Sequence, residues 1–75
     1  MSDLYNLACV YALAAAKLPP SDADRAATRT VATLRQAITE GYRGFAHMTK
    51  DSDFDSLRRR DDYAALLWDL ADPRP

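Results

Sequence analysis

Seventy-five residues make at most one domain, and a chain this short buries only about 60% of the surface that its unfolded form exposes. Ten Lys and Arg against eleven Asp and Glu give a formal net charge of -1, which supplies no electrostatic reason to bind nucleic acid or an anionic membrane. The single cysteine, Cys9, excludes an internal disulfide, and the single histidine, His47, leaves zinc short of ligands; this fits a reducing, cytoplasmic setting.

The first predicted element is a helix opened by Ser2 or Asp3, whose side chains can accept from the orphan amides of a first turn. Leu4, Leu7, Ala8, Tyr11, Ala14 and Ala15 fall at the 3.6-residue period and predict its inward stripe. Val10 and Leu13 fall off that stripe and widen it. The helix should stop near Lys17, because Pro19 and Pro20 cannot continue it. The apolar run 7–16 is too short for a bilayer span, which needs about 20 residues. It also follows Asp3 rather than the Lys or Arg of a signal peptide.

A second helix should begin at Ser21, with "SDAD" spaced as a capping box and Asp24 in the place of the usual Glu. Ala23, Ala27, Thr30, Val31, Leu34, Ala37 and Ile38 predict the inward face. Arg25, Thr28, Arg29, Thr33, Arg35, Gln36 and Thr39 predict the wet one. Gly41 is placed to end the helix.

Tyr42, Phe45 and Met48 are spaced for a short third helix. "DSDFDS" reads as a turn whose Asp and Ser side chains bond local amides, with Phe54 and Leu57 tucked inward from a helical or 3₁₀ turn. Asp61 can cap a last helix that faces Tyr63, Leu66, Leu67 and Leu70 inward, with Trp68 on the flank and Pro73 as the stop. No segment alternates long enough to be a strand. The expectation is an all-α domain over 1–75: a helical hairpin at 1–40, then a short helix, an Asp-rich turn and a terminal helix at 41–75.

"LYNLACVYALA" followed by "TVATLRQAITEGY" resembles a tetratricopeptide (TPR) repeat. The first-helix positions of the motif fall on Leu4, Leu7, Ala8 and Tyr11, and those of the second on Thr30, Leu34 and Ala37. Leu4 stands for Trp, Leu34 for an aromatic and Thr30 for Ala, and the stretch 12–29 is longer than the usual turn. Over residues 4–70 the chain looks like the C-terminal helical segment of bacterial serine/threonine protein kinases, except that Ser52, Ser56 and Asp62 stand where proline is expected. No kinase motif is present. The resemblance implies a non-catalytic module. It also implies that Tyr5, Cys9 and Ala12 line a groove and that Asn6 can hold the backbone of a bound peptide.

Other candidate sites have simpler explanations. A calcium loop starting at Asp51 would carry Ser56 and Asp62 in place of Gly and Glu, and Arg58, Arg59 and Arg60 inside it. Those arginines are flanked by Asp53, Asp55, Asp61 and Asp62, which predicts mutual pairing rather than phosphate binding. Cys9 packs as a small hydrophobe and His47 has no ligand partner nearby in sequence.

The sequence therefore gives no catalytic, cofactor-binding or metal residue and no enzyme. About three repeats are needed to close a solenoid core, so a hairpin this short should leave one side of its first helix uncovered. Tyr5, Asn6, Cys9, Ala12 and Ala16 are the expected partner-binding residues. The expected partner is a protein, a peptide or a second copy in a homodimer, and neither nucleic acid nor membrane. A solenoid cap that binds nothing is the alternative.

Overall fold

The computed structural model describes residues 3–42 and 44–71, Phe45 by its backbone alone, and it is all-α. Helices α1 (Asp3–Ala15) and α2 (Pro20–Thr39) form a hairpin. A short α3 (Phe45–Lys50), a 3₁₀ segment (Ser52–Leu57) and α4 (Asp61–Ala71) follow. Ser2 and Pro73, the expected first cap and last stop, lie outside the described residues, as does the side chain of Phe45. No strand occurs among the described residues, and no helix among them is long and apolar enough to cross a membrane.

The hairpin turns because α1 tightens at its end, with the Lys17 amide bonding the Ala14 carbonyl at 3.0 Å, and because two prolines follow. α2 starts at Pro20 rather than Ser21. Proline at the first helical position carries no amide to orphan and already holds a helical φ. No side-chain cap forms there, and Asp24 is drawn instead to Arg60. At the other end, Gly41 takes φ +111°, a left-handed turn that a side chain would strain, and the Tyr42 amide closes on the Ala37 carbonyl at 3.0 Å.

One core joins all five elements. α1 contributes Tyr5, Ala8, Ala12 and Ala15, and α2 contributes Ala27, Val31 and Leu34. Met48, Phe54, Leu57, Tyr63, Leu66 and Leu70 from the C-terminal half complete it. The inward face expected for α2 is buried at Ala27, Thr30, Val31, Leu34 and Ala37 and half-buried at Ala23 and Ile38. Phe54 and Leu57 are buried from a 3₁₀ turn, and Tyr63, Leu66 and Leu70 from α4, as their spacing indicates.

α1 departs from its expected stripe. Ala8 and Ala15 are buried, but Leu7 and Ala14 are exposed and Leu4 and Tyr11 only half-buried, while Tyr5 and Ala12 lie in the core. The helix is turned so that alanines meet α2. Small side chains let two helix backbones approach closely, and the interior has no room for Leu at each of those positions. Tyr11 stays at the edge, with the Arg29 guanidinium 5.6 Å from its ring centre.

Candidate functional site

Two features of α1 lie outside ordinary helix packing. The first is a polar cluster at the inner edge of the helix. Asp51 accepts the Tyr5 hydroxyl at 2.6 Å on Oδ2 and the Asp53 amide at 3.0 Å on Oδ1. The Cys9 thiol reaches Oδ2 at 3.9 Å, and His47 Nε2 stands 3.6 Å from the same oxygen. Asp51 thereby caps the 3₁₀ segment and ties it to α1 in one side chain. Burial pushes its carboxyl up, but Tyr5, the Asp53 amide and His47 outweigh that and hold it below the usual carboxylate range.

Tyr5 sits at the centre of this cluster. Its ring stacks on Tyr42 at 4.9 Å and meets Phe54 edge-on at 5.7 Å. Burial, then the bond to Asp51, drives its hydroxyl well above the usual tyrosine range, so it donates and stays neutral. The Cys9 thiol is pushed up to about 11 by burial, then by the charges of Asp51 and Asp53. A thiol in that state is a poor nucleophile at neutral pH.

Donor atoms of Cys9, Asp51 and Asp53 lie within 4.8 Å of one another, a grouping the sequence spacing conceals because 42 residues separate Cys9 from Asp51. Sulfur with two carboxylates suits a borderline cation such as zinc once the thiol loses its proton. Hydrogen bonding already accounts for the arrangement: both Asp51 oxygens are engaged by protein donors. The expected turn chemistry of "DSDFDS" is thus realised at Asp51.

The second feature is the opposite side of α1. Leu7 is 42% exposed, Val10 61%, Leu13 47% and, just past the helix, Leu18 42%. Leu7, Val10 and Leu13 share one side because residues three and four apart lie on one helix face. Asp3, Asn6, Ala14 and Lys17 are exposed beside them. Scattered exposed leucines are normal, but three large apolar side chains on one face of a short helix make a patch.

The expected partner-binding residues divide between these two places. Tyr5 and Ala12 are buried in the chain's own core, and Cys9 is half-buried against it, so they form no open face. Tyr42 and the 3₁₀ segment (Ser52–Leu57) cover the side of α1 that a lone hairpin would leave bare. Asn6 and Ala16 are exposed, and the Asn6 amide needs no buried partner. The uncovered side is real but lies elsewhere, at Leu7, Val10 and Leu13. The signal for it was the width of the apolar stripe.

Within the arginine run, Arg58 and Arg60 pair with carboxylates. Arg58 bonds Asp55 at 2.9 Å. Arg60 holds Asp62 at 3.0 Å, Asp24 at 2.7 Å and the Thr28 hydroxyl at 3.1 Å, tying α4 to α2. A cleft of about 230 Å³ lies beside that pair, floored by Ala15, Ala23 and Ala27 and edged by Ser56. The carboxylate that lines it, Asp24, is engaged by Arg60, so its charges neutralise each other.

Comparison of the chain with protein-family models, with curated proteins and with solved structures gave no match.

Proposed function

We propose that this chain is a non-catalytic protein–protein interaction module of the TPR type, which docks partner proteins or neighbouring repeats through the apolar outer face of α1. The observation that carries this reading is the row of Leu7, Val10 and Leu13, each more than two-fifths exposed. Burying such a row gains about 25 cal/mol per Å² of apolar surface. The flanking charges, Asp3 and Lys17, are few, so the partner is recognised by shape and apolar area more than by a charge clamp. The pairing of Arg58 and Arg60 with carboxylates of the same chain argues for a protein partner over a nucleic acid. The sequence likeness to the tail of bacterial serine/threonine protein kinases suggests a place beside a signalling enzyme in the cytoplasm.

A photo-crosslinking residue in place of Val10 tests the reading in the expressing cell. Crosslinked products at any discrete mass above that of the single chain are the expected result. Crosslinking no greater than from an equivalent label at exposed Arg25, on the far face of α2, overturns it.

A further inference from the structure

The outer face of α1 is symmetric about Val10. Leu7 and Leu13 lie three residues to either side of it, and Asp3 and Lys17 lie seven to either side; all five are exposed. Positions 3, 7, 10 and 14 of α1 step by four, three and four, the spacing of a seam between two packed helices, and Lys17 follows in the turn just past the helix end. We infer that the occupant of this face is a second copy of the chain, with α1 against α1 antiparallel on a twofold axis at Val10. The inference rests on the reading of that face as an interaction surface, and it names the partner.

The symmetry has a physical consequence. A twofold axis through Val10 sets Val10 on Val10 and Leu7 of each copy on Leu13 of the other, so apolar meets apolar along the seam. It also sets Asp3 of each copy beside Lys17 of the other, twice. A parallel pair would oppose Asp3 to Asp3 and Lys17 to Lys17. Charge therefore selects the antiparallel arrangement, and opposed helix dipoles favour it as well. Leu18, also exposed, follows Lys17 beyond the helix. One helix pair makes a small interface, which puts the dissociation constant in the micromolar range, at about 10–100 µM.

The test is molar mass by sedimentation or light scattering over about a thousandfold concentration range around that value. The native chain should climb from one chain mass to two. Val10→Glu places two carboxylates together on the axis and should weaken pairing by at least about 100-fold, with helix content by circular dichroism unchanged. Asp3→Lys should weaken it about three- to tenfold, and adding Lys17→Asp should restore it. Restoration distinguishes the antiparallel pair, because the double swap leaves a parallel pair with like charges opposed.

A native chain that stays at one mass throughout overturns the inference, and so does a double swap that restores nothing. The two readings fail separately. Crosslinks from position 10 to a product other than the doubled chain, with a monomeric native chain, sink self-pairing and keep the interaction surface. Background crosslinking sinks both.

Discussion

Opposite sides of α1 use similar residues to different ends. Tyr5, Ala8, Ala12 and Ala15 face α2 and the 3₁₀ segment and are buried; Leu7, Val10 and Leu13 face away and are exposed. The larger aliphatic side chains are the ones outside. Inside, alanine brings two helices together and Tyr5 fills the wider end, where Tyr42 and Phe54 meet it. The pairing shows that on a short helix close approach, not side-chain size, decides which stripe goes in.

The largest effect should come from breaking the inner side. Phe54 is buried between Tyr5 and Tyr63, with ring centres 5.7 and 5.9 Å away. Phe54→Ala leaves a cavity under both and should cost about 3–5 kcal/mol, a large share of what a small domain has. Urea unfolding followed by far-UV circular dichroism would read it. A loss under about 1 kcal/mol would mean that the C-terminal half does not clamp α1.

The polar cluster sharpens the same contrast through pH. The folded state holds the Asp51 carboxyl below its ordinary value, so its contribution is present above an unfolded pKa of about 3.9 and is lost as pH falls through the folded value. Asp62, held down first of all by its bonds from Arg60, acts in the same direction. Stability should therefore fall below about pH 4. Asp51→Ala should cost about 2 kcal/mol at neutral pH and flatten that acid fall. Thermal melts between neutral and acid pH check both, and an unchanged acid slope in the variant would remove Asp51 from the account.

The hairpin, the 3₁₀ burial of Phe54 and Leu57 and the inward face of α2 follow from periodicity and turn chemistry, which are local. The α2 start escaped because Ser21 and Asp24 read as a cap, while Pro20 takes the first position and Arg60, 36 residues away, takes Asp24. The inner side of α1 escaped because nothing local says that α3 and the 3₁₀ segment return to cover Tyr5. Asp51 carries that information only through a hydroxyl 46 residues away. An apolar helix with no wet side signals that two sides are used, yet not which of them the chain itself covers.

Tyr63 offers a smaller and opposite effect. Its hydroxyl is buried and has no hydrogen-bond partner among the described residues, and burial raises its pKa. A buried hydroxyl without a partner costs more than it returns. Tyr63→Phe keeps the ring against Phe54 and removes the orphan atom, so stability should rise by about 1 kcal/mol. A loss of similar size in urea unfolding would show that the hydroxyl is satisfied in solution.

The smallest folding effect belongs to the outer side, and the comparison stands or falls there. Val10 is 61% exposed, so little of its surface leaves water when the single chain folds. Threonine has nearly the same shape with a hydroxyl in place of a methyl, and it loses little as a helix former. Val10→Thr should therefore change unfolding free energy by less than about 0.5 kcal/mol in dilute solution, where each chain is alone. At concentrations where chains meet, the native protein should melt at a rising temperature and the variant should not, because binding stabilises only the form that binds. Equal melting temperatures for both at every concentration would leave Val10 as a surface residue that does not pair with a second copy. A cost above about 1 kcal/mol in dilute solution would place it in the core instead.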